Sequence, residues 1–411
     1  MKRRIAIVGY GSAGQCAAVL LERDGHCVEV FERVPEPGPV GAGFLLQPSG
    51  LQVLWQMGLL APVLSHGAPV ERLYGDTPCG RTVMEMGYAG LDPRLVGVGL
   101  QRGALFSILA GAFEGHRQVR AGMAIVALED DGRVLVDAHG GRHGPYDLVV
   151  VADGAASLLR RHVGEVRLDQ PYPWGALWCL VPAVGWPHLR ELRQRYVAAR
   201  RMVGLLPVGT RPGDDTQRLS FFWSLPTAGF DAWQAAGVDA WKAEVAALWP
   251  EIAPLIAELC APAQLARASY RDSVLRRWHC GHAVLIGDAA HAMSPQLGQG
   301  VNMALLDAMA LASALRARGS VHDALQALQA ERRRHVAIYQ WWSRWLTPMF
   351  QSDLDTVARL RDLALRPAAR LPLGRTHMLR VLSGTQQGLF GRIALDEAFI
   401  DALAQGAGRP A

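Results

Sequence analysis

Ile5-Ala6-Ile7-Val8 is a short apolar run that ends in glycines, the profile of a strand covered on both faces. Ser12 to Asp24 then reads as a helix stopped by Gly25, and Cys27 to Phe31 as a second strand ending at Glu32. Strand, glycine turn, helix, strand and acid make one βαβ unit of about thirty residues. Two more buried-type strands follow, Asp147 to Ala152 and Ala283 to Ile286. They end at Asp153-Gly154 and Gly287-Asp288, and such ends line the ligand crevice of a parallel sheet. Between 170 and 264 the period changes. Leu219, Phe221, Trp223 and Leu225 alternate with Ser220 and Ser224, Trp174 to Val181 reads as another strand, and Trp241, Val245, Leu248 and Trp249 sit at helical spacing before Pro250. Beyond Asn302 the chain turns helical over Met303–Arg318, Val321–Trp345 and Asp353–Leu365.

The first turn, Gly9-Tyr10-Gly11-Ser12-Ala13-Gly14, matches G-x-G-x-x-G in the right context, after a strand and opening a helix. Gly9 permits the tight turn, Gly11 lets a pyrophosphate approach the backbone, and Gly14 lets helix pack on strand. The helix start at Ser12 and Ala13 supplies the positive dipole end. Glu32, at the tip of the second strand, is placed to accept both hydroxyl protons of an unphosphorylated ribose, as in FAD or NAD. Arg33 beside it lies on the adenine side or is simply solvated.

Composition narrows the field. Half of the 411 residues are apolar and 19 % are charged, with no low-complexity tract, so a large core is expected and extended disorder is not. The net charge of +5 comes from 40 Arg and two Lys, scattered rather than striped, which gives nucleic-acid binding no support. Six cysteines show no CxxC pair and thirteen histidines no ligand spacing, so no metal is expected and a cytoplasmic setting is. Nothing approaches 18 unbroken apolar residues, so no membrane span is expected.

The most informative stretch is Gly287-Asp288-Ala289-Ala290-His291-Ala292-Met293-Ser294-Pro295-Gln296-Leu297-Gly298-Gln299-Gly300-Val301-Asn302. A strand ends in an acid, a Pro/Gly loop follows, and a helix begins with unpaired N–H groups to offer. This closely resembles the G-D-A-A-H-x-x-x-P-x-x-G-Q-G-x-N signature of the class A flavoprotein monooxygenases, the para-hydroxybenzoate and salicylate hydroxylase family. Three more segments resemble that family in the same order. They are Gly41 to Pro48 beside the isoalloxazine, Gln101-Arg102-Gly103-Ala104-Leu105 as the R-x-x-L helix start, and Ala152-Asp153-Gly154 to Arg160 as the A-D-G-x-x-S-x-x-R segment. The Asn usual after Pro48 is Ser49 here. The resemblance implies an α/β fold with a Rossmann-type FAD-binding lobe, an inserted mixed β-sheet substrate lobe and a helical C-terminal region. The expected division is 1–75, 98–168 and 265–365 for FAD, 76–97 and 169–264 for substrate, and 366–411 for the C-terminal helical segment. It further implies FAD contacts from Asp288, Arg102, Asp153, Gly43, Pro295, Gly298, Gly300, Val301 and Asn302.

The implied activity is hydroxylation of a small aromatic or N-heteroaromatic ring by O2 through a flavin C4a-hydroperoxide, with NAD(P)H as co-substrate docking transiently. The expected partners are that small aromatic substrate, O2 and NAD(P)H, in a monomer or homodimer. Pro295 is the expected catalytic-loop residue and Trp223 the expected wall over the flavin ring, with Trp174 and Trp178 on the same sheet. Tyr172 and Tyr196 are candidates to hydrogen-bond a phenol, and His291 is expected to brace its loop. Besides a non-enzymatic reading, in which FAD is a structural prop in a regulatory or binding protein, two rivals remain at this point. One is a flavin dehydrogenase or reductase without oxygen insertion. The other is a flavin-dependent halogenase, disfavoured because only Lys2 and Lys242 could carry its oxidant. In the last residues Arg361, Arg366, Arg370, Arg375 and Arg380 read as an exposed or lobe-bridging face.

Overall fold

The computed structural model describes residues 2–38, 41–368 and 372–409, with the side chains of 116–117 and 364–373 outside that description. Arg4–Val8 pairs in parallel with Cys27–Phe31 on one side and Leu148–Val151 on the other, and Leu148–Val151 pairs in parallel with Ala283–Leu285. His279–Cys280 and Val119–Arg120 complete the six strands. All residues of Ile5–Val8 and Leu148–Val151 are buried, as continuous apolar runs require when helices cover both faces. Those helices include Ser12–Arg23, Gly300–Ala317 and Val321–Phe350.

A seven-stranded sheet forms the second layer, and its central strands are Glu165–Pro182, Arg201–Arg211 and Asp214–Pro226. Alternation divides its faces. Leu177, Cys179, Val203, Leu205, Leu219, Phe221 and Trp223 form a core with Trp241 and Val245 of the Phe230–Leu248 helix. The opposite face carries Trp178, Leu180, Leu206, Ser220 and Phe222, and it turns toward the first lobe. There Leu206 and Val208 join the core of the first lobe and Leu180 packs against it.

Three expectations are corrected. The lobe boundary at 75 falls inside a strand, because Arg72–Asp76 pairs in register with Glu191–Val197 of the larger sheet. Ala266–Arg277 also belongs to that sheet, paired along Glu165–Pro182, and not to the FAD lobe. Arg361 takes the lobe-bridging alternative rather than the exposed one, for it is buried. Its guanidinium stacks over Tyr196 and Phe350 and donates to the carbonyls of Ala198 and Met349 at 3.0 and 2.7 Å. Arg375 is exposed and Arg380 half-buried, while the side chains of Arg366 and Arg370 lie outside the described residues. The C-terminal segment does not stand apart either: Leu379, Leu382, Phe399, Ile400 and Leu403 belong to the core of the first lobe.

Candidate active site

At the first turn the three glycines are needed for three separate reasons. Gly9 has φ +102°, and a Cβ there would lie 2.4 Å from the Ala152 carbonyl oxygen, so the turn presses on the Asp153 loop. A Cβ on Gly14 would lie 2.0 Å from the Gly9 oxygen, which lets the helix sit directly on the strand. Gly11 has an ordinary φ of −76°, and a Cβ there would meet nothing within 4 Å. That open space lies at the start of the Ser12–Arg23 helix, whose cap Gly11 offers no side-chain acceptor, so the first N–H groups face outward. Glu32 is fixed at the strand tip, accepting from the backbone of Tyr10 at 2.8 Å and Val34 at 2.9 Å. Arg33 is exposed beside it.

A second helix start converges on the first. Gly287, at φ +59°, brings Ala13 of one helix and Ala304 of the other within 3.4 Å of the place its own Cβ would take. Gln299 supplies no side-chain cap to Gly300–Ala317, so the N–H groups of Gly300, Val301 and Asn302 are free of intrahelical partners. The exposed Asp288 carboxylate lies over this turn, 3.8 Å from a Cβ on Gly300, and Gly298 reaches its position with φ +61° after the Pro295–Leu297 turn.

Asp153 is the most direct sign of an unmet partner. Its Oδ1 is buried without a hydrogen bond, as is the Ser157 hydroxyl, and burial pushes its carboxyl above the usual range against the pull of Arg160. Arg102 opens the next helix and stacks over Phe44, close against Gly41. Arg102 is exposed, and no carboxylate among the described residues is within ion-pair distance of its guanidinium. Two helix N-termini, an unpaired arginine and an orphaned carboxyl edge therefore fit a pyrophosphate with a polyhydroxyl chain and a ring carbonyl.

Three expected residues play other parts. Asn302 is fully buried: its Oδ1 accepts from the Gln47 backbone at 2.9 Å and its Nδ2 donates to Leu45 and Gly298, which leaves only its backbone N–H for a ligand. Gly43 lacks a side chain because Val208 would sit 2.5 Å from its Cβ, a demand of lobe packing. Trp223 is not a cleft wall. It is 1 % exposed on the helix-facing side of its sheet, edge-on to Trp241 at 6.2 Å and covered by Arg201 at 4.6 Å. One-residue alternation puts Trp178 and Phe222 on the opposite face instead, with ring centroids 5.1 Å apart, where Phe222 packs with Val83, Tyr196, Met202 and Phe350 and Trp178 is half-buried. Tyr196 is also a core residue, bonded to Gln194 at 2.8 Å. Tyr172 is half-buried near Ser294 and Thr347, whose hydroxyls bond each other at 2.8 Å beside Pro295.

Two residues support the site, Arg160 at the end of the A-D-G-x-x-S-x-x-R segment and Asp307, which the sequence reading missed. Arg160 is buried and donates to the carbonyls of Ala155, Asp288 and Ala289 and to Asp169, so it ties the Asp153 loop to the Asp288 loop and to the second sheet. Asp307 accepts from His291 at 2.6 Å, Arg332 at 2.7 Å and the Gly287 backbone at 2.8 Å. His291 thus braces the loop. Burial would raise the Asp307 carboxyl, but His291 and Arg332 outweigh it and hold it well below the usual range. The available signal was a lone acid in an otherwise apolar helical run.

A family model described as FAD binding domain matches residues 2–340. Kynurenine 3-monooxygenase of Salinispora tropica is 31 % identical, over 98 % of this chain and 91 % of that one. The chain belongs to the class A FAD-dependent aromatic monooxygenases. The FAD-dependent urate hydroxylase of Klebsiella pneumoniae is 27 % identical over 79 % of this chain and 85 % of its own length. The crystal structure of Klebsiella pneumoniae HpxO complexed with FAD and uric acid shares the fold, with a TM-score of 0.77, 23 % identity and coverage of 93 % and 97 % of the two chains. As a family member this protein is an FAD- and NAD(P)H-dependent monooxygenase acting on aromatic or heteroaromatic rings. No helix among its described residues is long and apolar enough to cross a membrane.

Proposed function

We propose that this monooxygenase binds FAD along Gly9–Gly14, Glu32, Arg102, Asp153 and Asp288, and hydroxylates a small aromatic or N-heteroaromatic substrate between Pro295 and the Trp178–Phe222 wall. The observation that carries the reading is the convergence of two uncapped helix starts around Gly287, beside a buried, unpartnered Asp153 oxygen. The N–H groups at Ser12 and Ala13 would meet the pyrophosphate, with Arg102 adding charge and Asp288 accepting from the sugar chain. Those at Gly300, Val301 and Asn302 would meet the ring carbonyl side, where a developing negative charge is favoured by the helix dipole. Bound there, FAD supplies hydride acceptance from NAD(P)H and activation of O2. The protein's own work is orientation and exclusion of water, which the aromatic wall performs.

Lys242 donates to the Ala257 carbonyl at 2.7 Å, on the helix behind the second sheet, and Lys2 precedes Arg4–Val8 at the end opposite the Gly9 turn, so neither offers an amine to the cleft and the halogenase alternative loses its oxidant carrier. NAD(P)H has no second glycine fingerprint and docks transiently. The test mixes FAD-loaded protein with NADH or NADPH and a panel of phenols and N-heteroaromatics, then reads oxygen uptake and product mass. A gain of one oxygen atom supports the proposal, while oxidised product without added oxygen refutes it in favour of a dehydrogenase.

A further inference from the structure

Tyr270 lies on Ala266–Arg277, the strand that borders the cleft face of the second sheet. Its hydroxyl oxygen accepts a hydrogen bond from the Trp178 indole N–H at 3.0 Å, and both side chains are half-buried. That bond occupies the acceptor side of the phenol, so the hydroxyl proton is directed away from the indole. No second partner for it is present among the described residues. Burial pushes the hydroxyl up to about 12, against the pull of Trp178 and Arg102, so it remains a neutral donor throughout the ordinary pH range.

Four arginines on and around this sheet are already paired with acids, while Arg167 and Arg277 on its strands are exposed and form no ion pair among the described residues. Arg271 and Arg160 pair with Asp169 at 2.9 and 3.0 Å, Arg344 pairs with Asp272 at 2.6 Å, and Arg201 pairs with Glu244 on the far side. Arg102, on the other lobe, is claimed by the cofactor in the reading above. A substrate carboxylate entering this cleft would lose its hydration and find these four arginines already paired.

We propose that Tyr270, held by Trp178, is the hydrogen-bond donor that orients the substrate, and that the cleft therefore selects a neutral aromatic ring bearing an acceptor oxygen or nitrogen over its carboxylate-bearing analogues. This rests on the cleft being the substrate site. A single neutral hydrogen bond in a closed site changes affinity by about tenfold or less.

Three probes separate the contributions: naphthalene, 1-naphthol and 1-hydroxy-2-naphthoate, each titrated into FAD-loaded protein and followed by the perturbation of the flavin absorption spectrum. The expected order is 1-naphthol tightest, by about tenfold over naphthalene, with the carboxylate weaker than 1-naphthol. Tyr270→Phe should erase the gap between naphthol and naphthalene while leaving naphthalene affinity unchanged. Trp178→Phe, which keeps a ring but removes the N–H, should shrink the same gap. A purely structural role would move both ligands together. Persistence of the gap in Tyr270→Phe, or tightest binding by the hydroxynaphthoate, overturns the inference. Failure of the protein to take up FAD would instead sink the site assignment, and that is read separately from the flavin spectrum before any probe is added.

Discussion

Gly11→Val and Gly14→Ala perturb one turn through two different mechanisms. At position 11 the backbone is extended, with φ −76° and ψ −176°, and a Cβ would meet nothing within 4 Å. The ligand-free chain should therefore tolerate valine, losing about 0.5–1 kcal/mol as a glycine helix cap is replaced by a poorer one. The branched side chain would instead occupy the space in which an anion must approach the helix start. Loss of one charge-assisted contact of about 1.5–3 kcal/mol corresponds to FAD binding about 10- to 150-fold weaker. At position 14 the new methyl group would lie 2.0 Å from the Gly9 oxygen, a backbone atom that cannot rotate away. Strand and helix must separate, at a cost of about 1–3 kcal/mol or more to the fold itself. Urea unfolding of FAD-free protein measures the first quantity, and quenching of FAD fluorescence on titration measures the second. If Gly11→Val unfolds with Gly14→Ala, or retains full FAD affinity, the turn is built for packing and the cofactor reading of Gly11 is refuted.

The adjacent Phe222 and Trp223 test which face of the second sheet meets the substrate. Phe222→Ala should leave NAD(P)H consumption in place but lower the yield of hydroxylated product per NAD(P)H, with hydrogen peroxide making up the difference. Trp223→Ala should instead destabilise the fold by about 3–5 kcal/mol, because it empties a site packed against Trp241, and equal stability with a changed product ratio would reverse this assignment. Asp288→Ala should weaken FAD binding by about 1.5–3 kcal/mol without a change in unfolding midpoint, and unchanged affinity by titration would leave Asp288 as a helix-capping residue only. Burial and Arg332 depress His335 to about 3, whereas an unfolded histidine titrates near 6.5. Between those values the unfolded chain binds the extra proton. Stability present above 6.5 is thus lost as pH falls, by up to about 1.4 kcal/mol per unit. His335→Gln should flatten the difference in urea stability between pH 7 and pH 5, and an unaltered slope would refute the linkage.

The parallel strands were legible because strands covered on both faces are unbroken apolar runs, and the glycine turns because each constraint there admits only one residue type. The alternating strand at Leu219–Leu225 was equally legible as a strand, but not for which face meets the other lobe. Trp223 and Phe222 are adjacent, and both faces are buried. One is covered by the Phe230–Leu248 helix and the other packs with Val83, Tyr196, Met202 and Phe350, and that choice is made by the order of the strands. Period-2 patterning carries no information about it. Lobe boundaries failed for a similar reason: Arg72–Asp76 lies far in sequence from its partner Glu191–Val197. Asn302 was placed correctly at the helix start, yet its amide serves Gln47, Leu45 and Gly298, a pattern of partners that only the folded chain sets.

Ser49 shows how the same chain compensates for a departure from its family's pattern. The C-terminal turn approaches so closely that a Cβ on Gly384 would lie 1.9 Å from the Ser49 hydroxyl, which leaves no room for a longer asparagine. Ser49 donates its backbone N–H to Ser383 at 3.2 Å, and Gln299 donates to Leu382 at 2.8 Å, so the C-terminal segment supports the starts of the Pro48–Gln56 and Gly300–Ala317 helices. His335 bonds the Gly384 carbonyl at 2.9 Å and meets Arg332, which holds Asp307, which holds His291 and Gly287. This buried chain of charged and polar groups joins the loop bearing Asp288 to a turn nearly a hundred residues later. Removing one member would strand a charge with no water to receive it, at a cost of about 3–5 kcal/mol. The loop is held in place by that cost, and so are the uncapped N–H groups beside it, whose value to a cofactor depends on their not moving when it arrives.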